Sequence, residues 1–159
     1  MTALPDGTPQ AGPAPHGDLP VRLAEVVEEF GSLSEPDRLQ LLLEFSRELP
    51  DLPARLAEDH GRMEPVPECQ APVFLAVELD GRTVHLFFDA PRESPTTRGF
   101  AGVLHQGLDG ATVEEVLSVP EDVPHRLGLD RAVSPLRLRG MDGMLARIKR
   151  QVRRQSGLS

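Results

Sequence analysis

Asp80-Gly81, set between two runs rich in alternating apolar residues, restricts the fold of this chain more than any other local feature. Asp-Gly flanked in this way predicts a two-residue type I′ hairpin over Val73 to Asp89. With Asp80-Gly81 as the loop, Leu79 pairs with Arg82, Val77 with Val84, Leu75 with Leu86 and Val73 with Phe88. The apolar members of these pairs share one face, which is the expected core face. Phe74 and Phe87 pair on the other. The end of the hairpin away from the turn is thus apolar on both faces, and another element should cover it. A weaker run through Arg62 to Val66 is a candidate third strand.

Helical patterns flank this sheet. Leu23, Val26, Val27 and Phe30 form one face of a helix over Leu19 to Phe30, which Gly31 ends. Ser34-Glu35-Pro36-Asp37 opens a second helix, with Ser34 able to cap it and Asp37 to complete a capping-box-like contact; Leu42, Phe45 and Leu49 are its buried stripe. Leu52 to Asp59 suggests a further short turn. After the hairpin, Thr96 to Gly99 leads into a helix carrying Phe100, Val103 and Leu104. Thr112-Val113-Glu114-Glu115 is a capping box for a short helix, and Pro124 to Leu127 makes one more turn. The last helix runs from about Leu136 to Arg154, with Met141, Met144 or Leu145, Ile148 and Val152 on one stripe. Gly140 and Gly143 weaken that helix locally and permit close backbone approach. The order predicts an α+β domain, a small antiparallel three-stranded sheet with helices packed on it. The domain is expected over residues 19–156. A Pro/Gly-rich arm over residues 1–18 is expected to be disordered.

Composition narrows the function. With no Trp, no Tyr and six Phe, the core is aliphatic and little is left on which to stack bases. Residues 1–130 carry nine arginines against 24 carboxylates, whereas residues 131–159 carry eight cations against one. The basic end reads as cations on a solvated face near a helix C-terminus, because the acidic remainder repels a phosphate backbone. No nucleic-acid partner is expected. With no membrane-length apolar run and no export signal, no membrane partner is expected either, and the expected location is cytoplasmic.

The chain has one cysteine, Cys69, within Pro65-Val66-Pro67-Glu68-Cys69-Gln70-Ala71-Pro72, a stretch too rich in proline for a helix. A lone thiol forms no internal disulfide and by itself binds no zinc, and no metal site is expected. It is either a reactive thiol at the lip of the sheet or a small buried hydrophobe. Glu68 disfavours the thiolate, so a reactive Cys69 needs a cation brought from elsewhere. The candidates are Arg62, Arg98, Arg137 and Arg139. Arg137 and Arg139 open the last helix, where positive charge opposes the dipole, and this hints at an anionic neighbour. Among His16, His60, His85, His105 and His125, only His60 is placed to form a Cys/His pair. No HExxH, GxSxG, GxGxxG or Walker A pattern occurs, so a self-contained enzyme is not expected.

Four stretches in this order resemble the SufE family of cysteine desulfuration proteins. They are Phe45-Ser46-Arg47-Glu48-Leu49-Pro50 with Leu52-Pro53, Glu68-Cys69-Gln70-Ala71-Pro72-Val73-Phe74, Arg98-Gly99-Phe100-Ala101, and Ser134-Pro135-Leu136-Arg137-Leu138-Arg139-Gly140-Met141. The resemblance spans about Leu23 to Arg154 and implies a SufE/IscU-like fold. It implies that Cys69 accepts persulfide sulfur from a cysteine desulfurase, stimulates that enzyme and passes the sulfur to an iron–sulfur scaffold complex. Gln70 matches the residue after the acceptor, and Arg137 matches a family arginine near the start of the last helix. The chain itself needs no cofactor on this reading, because pyridoxal phosphate belongs to the desulfurase. A monomer or homodimer is expected. The chain departs from the family in having Glu68 where Gly is frequent, and Ala71-Pro72 where a serine is frequent. Two other readings remain: an adaptor that activates the desulfurase with Cys69 merely structural, and a thiol peroxidase, which lacks a resolving cysteine.

Overall fold

The computed structural model describes residues 16–157. Its sheet has the order β1 (Glu64–Pro65), β2 (Phe74–Asp80) and β3 (Thr83–Asp89), all antiparallel. The hairpin turn lies one residue later than Asp80-Gly81 predicts. Asp80 pairs with Thr83, leaving Gly81 and Arg82 as the loop. Gly81 sits at φ +60° and Arg82 does not share its positive φ, which is the pattern of a type II′ turn. Only glycine then takes the left-handed conformation, and Asp80 is spared it. The 110–113 segment reinforces this choice, because Val84 N–H donates to Ala111 O (2.8 Å) and Val113 N–H donates to Arg82 O (2.9 Å).

The expected register is therefore corrected by two residues: Leu79 pairs with Val84, Val77 with Leu86, and Leu75 with Phe88. A shift of two leaves every side chain on its face. Val73, Leu75, Val77, Val84, Leu86 and Phe88 all enter the main core, as the alternation predicts. On the opposite face Phe74 lies across from Asp89 and Phe87 across from Ala76, not from each other.

Seven helices complete the described chain: α1 (Val21–Gly31), α2 (Glu35–Glu48), α3 (Ala54–Ala57), α4 (Pro95–Leu108), α5 (Val113–Leu117), α6 (Val123–Arg126) and α7 (Pro135–Ser156). The apolar stripes read from spacing are the buried ones. Leu23, Val26, Val27 and Phe30 of α1 are buried, as are Met141, Met144, Leu145, Ile148 and Val152 of α7. Thr112 forms its capping box on α5, whereas Ser34 makes no side-chain bond to α2. α4 lies tight against α2, because a Cβ at Gly99 or Gly102 would meet the carbonyl oxygen of Leu42 or Phe45 at 2.5 or 2.4 Å.

The cover expected for the second face of the hairpin is present. Leu56 of α3 and Met63 pack with Ala76, Phe74, Phe87 and Leu52 in a small separate cluster. The two-residue β1 leaves the outer edge of β2 open beyond Leu75, and α7 closes it. Gln151 Oε1 accepts from Val77 N–H (3.0 Å), and Gln155 Nε2 donates to Val77 O (2.8 Å). Of the arm expected over 1–18, residues 1–15 lie outside the described residues. Asp18 accepts two hydrogen bonds from Arg126 at 3.0 Å. No helix among the described residues is long and apolar enough to cross a membrane.

Candidate functional site

Pro67, Glu68 and Cys69 form a 3-10 turn between β1 and β2. Two backbone bonds close it: Cys69 N–H donates to Val66 O and Gln70 N–H to Pro67 O, both at 3.1 Å. Gln70 leaves the turn in the left-handed conformation, at φ 56° and ψ 20°. Pro67 fixes the first φ of the turn, and Val66 N–H anchors its base to Val73 O at 2.9 Å. A proline-bounded sequence thus becomes a short, stiff presentation of one thiol.

The turn rests on α7. Cys69 sits over Gly140 so closely that a Cβ there would lie 3.1 Å from both its Cα and its Sγ. The thiol is half-buried, packs against the main core, and points its S–H towards Gly140 O at 3.6 Å. One helical turn further on, Glu68 lies over Gly143, where a Cβ would come within 3.0 Å of its carboxyl carbon. Arg147 Nη1 donates to Glu68 Oε2 at 3.0 Å and to Gly143 O at 3.1 Å. Arg147 Nε is buried without a hydrogen-bond partner and faces Glu64 Oε2 at 3.5 Å. Glu64 in turn receives Gln151 Nε2 at 2.9 Å and pairs with Arg150.

These contacts set the protonation states. Burial pushes the Cys69 thiol up to about 12, the Glu68 charge acts in the same direction, and Arg147 opposes them more weakly. The hydrogen bond from Arg147 holds the Glu68 carboxyl below the usual carboxylate range. In this arrangement the thiol is neutral at physiological pH and a poor nucleophile.

Cys69, Gln70 and Ala71 form one wall of a recess of about 260 Å³. The rest of its lining comes from the starts of two helices, Ser94 and Thr97 at α4 and Ser134, Leu136 and Arg137 at α7. The two starts differ. Ser134 Oγ accepts from Arg137 N–H at 3.2 Å and caps α7, whereas Ser94 makes no side-chain cap bond to α4. Leu136 is 42% exposed beside the recess. The Arg137 guanidinium is exposed and carries no ion pair among the described residues.

Cys69, Gln70 and Arg137 therefore line one recess. The other candidate cations do not. Arg98 is buried and donates to the carbonyl oxygens of Ser46, Ala90 and Leu49. Arg62 and Arg139 are not part of the recess. His60 bonds to Asp89 Oδ2 at 2.6 Å and packs its ring on Phe74 at 4.2 Å, so it pairs with a carboxylate and not with the thiol. Phe74 and Phe87, expected beside the cysteine, belong to the second cluster on the far face of the sheet. The seat of Cys69 is supplied by α7 instead.

Sequence reasoning missed Arg147. The basic C-terminal segment, read as a solvated face, contributes Arg147 and Arg150 to the pairs with Glu64 and Glu68, and buries Lys149, whose Nζ donates to Val119 O at 2.6 Å. Gly140 and Gly143 were the usable signal, because they mark where another segment crosses α7. They do not say which one.

Comparison with known proteins places this geometry. The family model SufE, described as an Fe-S metabolism associated domain, matches residues 24–152. An uncharacterized SufE-like protein of Mycobacterium tuberculosis is 57% identical over 136 residues, covering 85% of this chain and 94% of its own. SufE-like protein 1 of Arabidopsis thaliana, chloroplastic/mitochondrial, is 28% identical over 149 residues, covering 89% of this chain and 39% of its own. The solution structure of a hypothetical protein from Thermus thermophilus superposes with a TM-score of 0.77 at 38% identity, covering 87% of this chain and 98% of that one.

Proposed function

The chain belongs to the SufE family, and from that premise we propose that Cys69 accepts sulfur from the persulfide of a cysteine desulfurase and carries it to iron–sulfur cluster assembly. The observation that carries this reading is the placement of the chain's one thiol, half-buried on a stiff turn, against a recess that Arg137 and exposed Leu136 flank. A partner that docks there meets an apolar side chain, a free guanidinium and the thiol together.

The transfer is an exchange. The Cys69 thiolate attacks the terminal sulfur of the donor persulfide, a new S–S bond forms at Sγ, and the donor's S–S bond breaks. The electron pair leaves on the donor cysteine as a thiolate. The proton given up by Cys69 is available to it. No external oxidant or reductant is consumed, and no cofactor is required of this chain. The thiol must first leave its neutral state on Gly140, so docking has to lift or polarise the 67–70 turn. Arg137, at the recess, is placed to stabilise the anion that results.

The neutral, seated thiol also suits an adaptor that activates the desulfurase while Cys69 only packs. One experiment separates the two. The protein is mixed with a cysteine desulfurase and cysteine, and its intact mass is measured without reductant. The carrier gains one or more sulfur atoms, Cys69→Ala gains none, and Arg137→Ala loads more slowly with its fold intact. If Cys69→Ala stimulates the desulfurase as well as the wild type does, the carrier reading is wrong.

A further inference from the structure

Buried polar atoms are nearly always paired, and each exception calls for an explanation. Among the described residues, the one buried side-chain nitrogen or oxygen without a hydrogen-bond partner is Arg147 Nε. Two carboxylates flank this guanidinium. Glu68 Oε2 takes Nη1 at 3.0 Å, and Glu64 Oε2 stands 3.5 Å from Nε, about half an ångström beyond an ordinary N–H···O bond. The two carboxylates are held differently. Glu68 belongs to the turn itself, next to Cys69, and its side chain is 41% exposed. Glu64 lies on β1, pairs with Leu75 of β2, receives Gln151 Nε2 at 2.9 Å, and is 26% exposed. A lift of the turn therefore carries Glu68 away and leaves Glu64 in place. Glu64 can still accept, because Gln151 and Arg150 occupy two of the roughly four acceptor positions of a carboxylate.

We infer that Arg147 is a positioning residue that changes carboxylates as Cys69 moves, pairing with Glu68 while the thiol is seated and with Glu64 when the turn is lifted. This inference rests on the sulfur-acceptor reading, in which the neutral thiol has to leave Gly140 before it reacts. The seated state satisfies Nη1 through Glu68 and Gly143 O and leaves Nε unpaired. The lifted state satisfies Nε through Glu64. The guanidinium keeps a carboxylate in both, so breaking the Glu68 pair strands no buried charge. The forked N–H groups of arginine make this exchange possible, because Nε and Nη1 face different acceptors and a lysine ammonium has no second arm. Glu64 is the better shielded of the two carboxylates, so water and salt screen its attraction for Arg147 less. Arg147 acts on Cys69 through the turn and does not touch the sulfur. Its effect is to keep the seated and lifted states close enough in energy for a docking partner to exchange them.

The test follows the bare thiol of the full chain, so that it does not depend on any desulfurase. Iodoacetamide alkylates the lifted thiol, and the rate at pH 8 is read by intact mass. Glu64→Gln keeps the shape of the side chain and removes the charge that receives Arg147. It is expected to slow alkylation about two- to fivefold, the scale of one partly exposed ion pair. General loosening of the structure, or loss of a negative charge near the thiol, would instead speed alkylation. In an Arg147→Ala background the same substitution no longer slows alkylation, because the group that changes partner is gone. A Glu64→Gln protein that labels as fast as the wild type or faster overturns the inference, and so does a slowing that persists in the Arg147→Ala background. Should Glu64→Gln fail to fold, nuclear magnetic resonance of the Arg147 Nε–H proton decides. In Gly140→Val, whose side chain displaces Cys69, that proton signal moves downfield relative to the wild type as Nε bonds to Glu64, and an unmoved signal overturns the inference. A Cys69 that no desulfurase loads would refute the acceptor reading without altering these outcomes.

Discussion

The two ends of α7 do opposite jobs. The C-terminal half is tied to the sheet by an apolar stripe, and by Gln151 and Gln155, which serve the backbone of Val77 directly. The N-terminal part offers Gly140 and Gly143, and the turn carrying Cys69 lies on them through close backbone contact, one ion pair and a long S–H···O contact. The first end replaces a missing strand neighbour, so releasing it orphans buried backbone groups. The second end holds a segment whose own hydrogen bonds are internal to the turn, so releasing it orphans little. One helix thus supplies both a fixed anchor and a releasable seat.

The sharpest way to break this contrast is Gly140→Val. Its side chain cannot share space with Cys69 Cα and Sγ, so the turn must lift. The thiol, held near 12 when seated, then titrates near the free value of about 8.5, and iodoacetamide labelling at pH 8 rises roughly a hundredfold, because a gain of about a thousandfold or more in thiolate fraction is partly offset by the lower nucleophilicity of the less basic thiolate. The wild type should approach that reactivity only in alkali. Because the seated thiol titrates above the free one, seating is fully favoured below about 8.5 and is lost as pH climbs towards the seated value. Labelling rates that match between variant and wild type at pH 8 would show that α7 does not restrain the thiol.

Gln151→Leu probes the other end. It leaves Val77 N–H unpaired and removes a partner of Glu64. The expected loss in urea unfolding is about 1–3 kcal/mol, with labelling of Cys69 unchanged. Coupled changes in stability and labelling would mean that the two ends are not independent. Glu68→Gln has the smallest effect. The Glu68–Arg147 pair is partly exposed on the Glu68 side, so its loss should speed labelling only about two- to fivefold. The wild-type pair should fail in acid. With its carboxyl held below the ordinary range, Glu68 contributes to seating above about pH 4.3 and ceases to as pH falls through its lowered value. A Glu68→Gln protein that labels no faster would assign the seat to the glycines alone.

Much of this was legible in the sequence, for reasons that differ by element. Alternation and helical spacing report which side chains are buried, so the faces of the hairpin and the stripes of α1 and α7 followed from the residues. Register was not legible, because Asp80-Gly81 and Gly81-Arg82 are both acceptable two-residue turns, and the pairing of Val84 with Ala111 that decides between them is distant in sequence. Capping was half legible: Thr112 and Ser34 carry similar signals, yet only Thr112 caps. At the site, Cys69 with its proline-bounded neighbours stood out, and Arg137 came with it. Arg147 did not, because nothing local distinguishes it from Arg150 or Arg153 until a carboxylate 79 residues away is placed beside it.

The glycine seat also bears on solubility. Opening a buried site usually exposes apolar side chains and invites aggregation. Where Cys69 and Glu68 approach α7 most closely, however, they meet Gly140 and Gly143, although Cys69 also covers part of the main core. Lifting the turn there uncovers helix backbone already bonded within itself and an arginine that water readily solvates. The glycines thus limit the apolar surface that lifting the thiol would uncover.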